Sequence, residues 1–137
     1  NYINLIKKLI EKNDFFFFLL CGPNEKIVAD TILKEVDANY CMSLDEKKIS
    51  EIIPLISLAD IYVGNDSFGQ HVASQCNIPS IIIMLDTPRA YSDYSVNQFR
   101  ILPEGVNKND ISHDSNFAPD TIKVEKVLEK ISSLLKL

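Results

Sequence analysis

Residues Ala59 to Leu85 constrain the fold more than any other stretch of this chain. ADIYVG, Ala59 to Gly64, is an apolar run of strand length. NDSF follows as a polar turn. Gly69 to Cys76 has helical character, with Val72, Ala73 and Cys76 on one side, and Asn77 and Pro79 end it. SIIIML, Ser80 to Leu85, is a second apolar run, continuous as expected of a strand covered on both faces. Strands alternating with helices at this spacing make βαβ units and a mostly parallel sheet.

The rest of the chain keeps the same alternation. Tyr2, Ile3, Leu5, Ile6, Leu9 and Ile10 recur at helical spacing, with Lys7, Lys8, Glu11 and Lys12 opposite. FFFFLLC, Phe15 to Cys21, reads as a buried strand broken by Gly22, Pro23 and Asn24. A second helix is predicted over Glu25 to Val36, with Ile27, Val28, Ile32 and Leu33 inward. Asn39 to Met42 reads as a short strand. A third helix, Lys47 to Ser57, is expected to bury Ile49, Ile52, Ile53 and Ile56, with a kink or restart at Pro54. After the central segment, Phe99 to Leu102 is a short strand and 104–119 a loop. Asp120 is the expected cap of a last helix that carries Ile122, Val124, Val127, Leu128, Ile131, Leu134 and Leu135. The expected fold class is α/β, a Rossmann-like three-layer domain with a mostly parallel sheet, formed by residues 1–137 as one domain.

Composition removes several function classes. The chain has 137 residues, 46 % hydrophobic and 24 % charged, which excludes whole-chain disorder. Its net charge of −5 argues against nucleic-acid binding. The longest apolar run, Phe15 to Cys21, falls short of the ~20 residues that cross a bilayer. Cys21, Cys41 and Cys76 have no CxxC or CxC spacing, so buried reduced thiols are expected rather than disulfides or a zinc site. No signal peptide is visible, which places the expected location in the cytoplasm. His113 with Asp110 and Asp114 is a chance grouping on a loop, and neither a metal nor another cofactor is expected.

Open parallel sheets bind ligands beyond the carboxyl ends of their strands. That rule selects three loops: 21–25, 64–69 and 85–89. The second is the most informative. The first backbone N–H groups of a helix have no intrahelical partner, and here they face the turn, where they and the helix dipole suit a phosphate. Ser67 adds a hydroxyl, and His71 lies on the first turn. Asp66 or Ser67 is also expected to cap the helix, which does not exclude ligand contact. Glu25 admits two readings, an acceptor for ribose hydroxyls or a carboxylate that stabilises the helix dipole. Arg89 admits two as well, a partner for a diphosphate or a solvated charge. CGPNEK is no GxGxxG, so a dinucleotide fingerprint is absent.

ADIYVGNDSFGQHVASQCNIPSIIIMLDTP, Ala59 to Pro88, resembles the family-9 glycosyltransferases of heptosyltransferase type. Asp66, Ser67 and His71 fit that family's D-[ST]-G-P-x-H turn. Val72, Ala73, Ile78, Pro79 and Thr87 also match. GPNE, Gly22 to Glu25, resembles its G-G-x-x-E loop, and 49–60 and 87–102 resemble the flanking segments. The resemblance implies the C-terminal half of a GT-B fold, which binds a nucleotide-diphosphate sugar, with ADP-heptose the best-known donor type. Ser67, Phe68 and Gly69 would then contact the diphosphate, and Asp66, His71 and Thr87 would line the pocket. Glu25 would bind the ribose, and Met42, within 41–44, would flank the base. Phe68 stands at the family's usual glycine, Gly69 at its proline, and Leu85-Asp86 at a Gly-Pro pair.

In a sheet of order 3-2-1-4-5 the first strand is central. The strand expected before Tyr2 is missing here, as are the family's basic residue for the diphosphate and the acceptor-binding half with its catalytic base. The expectation is a piece of a longer two-domain chain, inactive alone, with unpaired edges on its flanking strands. The intact enzyme would transfer sugar to a glycan or lipid-linked acceptor in cell-surface polysaccharide or lipopolysaccharide synthesis, as a peripheral protein at the inner membrane. Three rival readings stand beside this one. A non-catalytic nucleotide-binding module is one, and an epimerase of the same architecture is another. The third is a serine hydrolase using Ser67, Asp86 or Asp93, and His113. It is disfavoured because Asn65 occupies the glycine position of a nucleophile elbow.

Overall fold

The structure, a computed structural model, describes residues 1–12, 14–22, 24–92 and 94–137. Pro23, read as part of a strand break, and Asp93, a hydrolase candidate, lie outside the described residues. The chain divides into two compact units, Asn1–Ile52 and Ile53–Leu137. Helix α3, Ile49–Ser57, carries the boundary.

In the first unit, helix α1 (Tyr2–Ile10) buries Leu5, Ile6 and Leu9. Strand β1 (Phe17–Leu19) pairs in parallel with β2 (Cys41–Ser43), placing Phe17 opposite Cys41 and Leu19 opposite Ser43. Helix α2 (Lys26–Glu35) connects them. Ile6, Ile32, Val36 and Cys41 form the core, with Ile3, Ile10, Phe17, Leu19 and Leu33 packed against it.

Three expectations change here. The inward face of α2 is Ala29, Ile32, Leu33 and Val36, an i, i+3, i+4, i+7 stripe, whereas Ile27 is 78 % exposed and Val28 is exposed as well. Only three residues of the run from Phe15 to Cys21 pair, and Phe16 is exposed. Of the cysteines only Cys41 is buried, while Cys21 and Cys76 are half-buried. Burial pushes the Cys41 thiol up, and it does so at Cys21 too, with Asp45 adding to it.

Helix α3 runs through Pro54 without restarting. It buries Ile52 and Ile56 and leaves Ile49 and Ile53 exposed. With apolar residues on every side, its sequence does not single out one stripe.

The second unit is built on a parallel sheet of order β3 (Tyr62–Asn65), β4 (Ser80–Ile83), β5 (Gln98–Ile101). Helix α4 (Phe68–Gln75) connects β3 to β4. It stops by a hydrogen-bond pattern that the sequence announces. Asn77 has φ +61°, its N–H donates to the Ser74 carbonyl at 3.1 Å, and the Ile78 N–H donates to the Ala73 carbonyl at 2.8 Å. These two bonds satisfy helix carbonyls that would otherwise be orphaned.

A 3₁₀ turn, Arg89–Ser92, lies between β4 and β5. Helix α5 (Val124–Leu135) buries Val127, Leu128 and Ile131 and packs on β4. Its N-cap is Lys123, not Asp120, which sits in a separate 3₁₀ turn opened by Pro119. Ile82, Met84 and Ile111 form a buried cluster with Leu102, Val106 and Phe117 against it, so the loop 102–117 is anchored without secondary structure.

Among the described residues β1 pairs only with β2, and β3 only with β4, so each ends its sheet on one side. No described helix is long and apolar enough to cross a membrane.

Candidate functional site

The turn 65–67 is the centre of the second unit's candidate site. β3 ends at Asn65 and α4 begins at Phe68, which leaves Asp66 and Ser67 as a two-residue link. Ser67 is the N-cap, in extended conformation (φ −156°, ψ 176°), and the His71 N–H donates to its carbonyl at 3.3 Å. Among the described residues no side-chain capping hydrogen bond is made at this helix start, contrary to expectation. The Ser67 hydroxyl instead lies 3.1 Å from Tyr62 Oη, which donates to the Asn65 carbonyl at 3.4 Å. That phenol also explains Gly64, since a Cβ there would stand 2.5 Å from Tyr62 Oη. The first N–H groups of α4 are thus left without a side-chain acceptor, which is how helix N-termini hold anions.

Asp66 and His71 are brought together across this turn. Asp66 Oδ1 lies 3.5 Å from His71 Nε2, within ion-pair range but not hydrogen-bonded. The Asp66 side chain is only 8 % exposed. Burial raises its carboxyl above the usual range, His71 and His113 oppose the rise, and Asp86 adds to it. The folded state therefore holds the proton more tightly than the unfolded chain does. This group favours folding below the ordinary carboxylate range, and that contribution is lost as pH rises through the raised value. Asp66→Asn should raise the melting temperature at pH 7 and flatten the acid-side gain in stability. Differential scanning calorimetry from pH 4 to pH 8 checks both, and an unchanged profile would count against the buried charge.

Phe68 is exposed and Gly69 buried at the helix start. Thr87 sits in the loop after β4, at the same end of the parallel sheet, and its hydroxyl donates to Asp86 Oδ1 at 3.3 Å. No contact joins it to Ser67 or His71 among the described residues. His113 meets Tyr91 edge to face at 5.4 Å, and Ser67 has a phenol rather than an imidazole partner, so the hydrolase constellation is not assembled among the described residues. No described group of three or more His, Cys, Asp or Glu is placed to hold a metal.

Glu25 and Met42 lie in the first unit. Glu25 is the N-cap of α2, and its carboxylate folds back so that Oε2 accepts the Gly22 N–H at 2.6 Å. Met42 is half-buried on β2, opposite Phe18. Lys26 pairs with Asp45 at 2.8 Å and Glu46 at 3.2 Å, a surface cluster that periodicity does not show. Hydrogen bonds that the Lys26 ammonium donates to Asp45 and then to Glu46 push its pKa up.

Three residues of the second unit escaped sequence reasoning. Tyr62 holds Ser67. Tyr94 Oη lies 2.5 Å from His71 Nδ1, with the two rings stacked at 5.8 Å, and Gln70 Nε2 donates to the same phenol at 3.2 Å. The only signal was the tyrosine itself, standing in a polar loop 23 residues beyond His71.

Parallel strands alternating with helices, with a helix start at the carboxyl end of β3, define a Rossmann-like α/β protein. The chain belongs to glycosyltransferase family 9 (heptosyltransferase), whose family model matches residues 1–119. It is 31 % identical over 88 residues to lipopolysaccharide heptosyltransferase 1 of Campylobacter coli, a match spanning 63 % of this chain and 26 % of that protein. Its fold matches the structure of E. coli ADP-heptose lps heptosyltransferase II with a TM-score of 0.77 at 23 % identity, over 98 % of this chain and 40 % of that one. The chain thus spans well under half the length of both relatives.

Proposed function

We propose that this chain is the nucleotide-diphosphate-sugar-binding half of a heptosyltransferase-type glycosyltransferase, with an ADP-linked heptose as its donor. The first turn of α4 supports the reading: its N-cap, Ser67, makes no side-chain capping hydrogen bond to the N–H groups there. Those N–H groups and the helix dipole stabilise negative charge on the departing diphosphate, the role that oxyanion-type donors play in group transfer. His71 supplies a donor on the first turn, and Asp66 keeps its ring in place. Thr87 is assigned to the same donor. Glu25 is assigned to the ribose and Met42 to the base, by their match to the family pattern.

Transfer itself needs an acceptor and a general base. We assign both to chain outside residues 1–137, in line with the 26 % and 40 % of its relatives that this chain spans. The open edges of β1 and β3 are where further strands of a longer protein would add. Acceptor glycans, lipopolysaccharide synthesis and a place at the cytoplasmic face of a membrane follow for that longer protein.

Titration calorimetry with ADP tests the donor site. The chain should bind ADP, and His71→Ala should weaken binding about tenfold, the size of one hydrogen bond to a charged group. Asp66→Ala should weaken it through the loss of His71 orientation. Unchanged affinity in both variants overturns the assignment.

A further inference from the structure

We propose that Tyr94 is a positioning residue of the anion site: its phenol fixes His71 in the tautomer that presents Nε2–H to the diphosphate. The inference rests on the donor-site reading and adds a residue to it. Four contacts carry it. Gln70 Nε2–H donates to Tyr94 Oη at 3.2 Å. Tyr94 Oη lies 2.5 Å from His71 Nδ1, with the rings nearly parallel at 13°, and we assign the phenol O–H as the donor of this bond. With Nδ1 an acceptor, the imidazole proton sits on Nε2, which faces Asp66 Oδ1 at 3.5 Å. That carboxylate oxygen is buried and has no hydrogen-bond partner. In the opposite tautomer His71 would turn a lone pair toward Asp66 and toward an incoming phosphate, and repel both.

The cost of the arrangement marks it as more than surface packing. Tyr94 is 47 % exposed, yet two buried glutamines hold it. Gln70 is fully buried on α4 and holds the phenol. Gln98 is buried at the start of β5, and its Oε1 accepts the backbone N–H groups of Tyr94 at 3.4 Å and Ser95 at 3.2 Å. Among the described residues each glutamine leaves its other amide atom buried without a partner, Gln70 Oε1 and Gln98 Nε2. Buried polar atoms are normally satisfied, so an exception of this kind calls for an explanation. Here both exceptions serve one exposed tyrosine beside the start of α4.

The test uses the full 137-residue chain with inorganic pyrophosphate as probe and ¹⁵N NMR of the imidazoles. The chain has two histidines, so His113→Gln assigns the signals. At about pH 8, above the ordinary imidazole range, His71 should show a protonated Nε2 and a hydrogen-bonded, unprotonated Nδ1. Tyr94→Phe keeps the ring stack and removes the O–H. It should shift the His71 Nδ1 resonance and weaken pyrophosphate binding about tenfold in a protein that stays folded, with a melting temperature lowered because Gln70 Nε2 loses its acceptor.

An Nδ1-protonated His71 in the unsubstituted chain overturns the proposal whatever the variant does. Normal pyrophosphate affinity and an unmoved Nδ1 resonance in Tyr94→Phe overturn it as well, and leave the donor site standing. Absence of pyrophosphate binding in the unsubstituted chain is different, because it overturns the donor-site reading and this inference together.

Discussion

Ser67→Asp removes ADP binding while leaving the protein folded. Ser67 is the N-cap of α4, and its own hydroxyl is engaged with Tyr62 rather than with the helix. Aspartate is as good an N-cap as serine, and a negative charge at a helix start is favourable by about 0.3–1 kcal/mol. Asp66 next to it opposes part of that gain, so stability should stay within about 1 kcal/mol of the original. For the ligand the same change is severe. The new carboxylate takes the N–H groups that a phosphate would use and places like charge against it. Two unit charges about 4 Å apart near a protein surface repel by about 4 kcal/mol, so a loss of at least ~100-fold is expected.

Ser67→Ala separates charge from hydroxyl. It removes one neutral hydrogen-bonding group, so its loss should stay within about tenfold. Calorimetric titration of both variants with ADP, beside their urea unfolding curves, decides the matter. Full ADP affinity in Ser67→Asp would show that α4 is capped from the side chain at no cost to the ligand, and the anion site would have to be sought elsewhere.

The sequence was most legible where short-range chemistry decides. The turn after Gly64, the start of α4 near Phe68 and its stop at Asn77-Ile78-Pro79 were readable because each depends on neighbours within five residues. Asp66, Ser67, Phe68, Gly69 and His71 come from that same stretch, and Asp66 and His71 do meet.

Burial faces were harder to read. In α2 and α3 there are more apolar residues than one stripe can hold. Partners distant in sequence therefore choose Ala29 over Val28, and Ile52 over Ile53. The run from Phe15 to Cys21 looks uniformly buried, but how much of a strand pairs depends on what lies beside it, and among the described residues β1 has one neighbour. The junction of His71, Gln70 and Tyr94 spans 23 and 24 residues and joins α4 to the loop before β5, and periodicity carries no information at that range.

Ile82→Ala should cost about 3–5 kcal/mol, the upper part of the range for truncating a buried isoleucine. Ile82 is 0 % exposed, in the middle strand of the three-stranded sheet, paired with Gly64 on one side and Arg100 on the other. Its side chain joins Met84 and Ile111, with Leu102, Val106 and Phe117 around them. A cavity at this point is hard to close, because hydrogen bonds to two neighbouring strands hold the backbone of β4. The loss is a large share of the ~5–15 kcal/mol that stabilises a typical domain. It should also loosen the 102–117 loop, whose apolar anchors have no helix or strand to fall back on.

Ile27→Ala is the comparison, because the same kind of side chain there is 78 % exposed, and its effect should stay within about 0.5 kcal/mol. Urea unfolding followed by circular dichroism measures both. Proteolysis of the native state reports the loop, and cleavage of Ile82→Ala should appear first between Pro103 and Ala118. A cost below about 1 kcal/mol at Ile82 would mean that the loop does not close over β4 as described, since truncating a side chain that nothing covers creates no cavity.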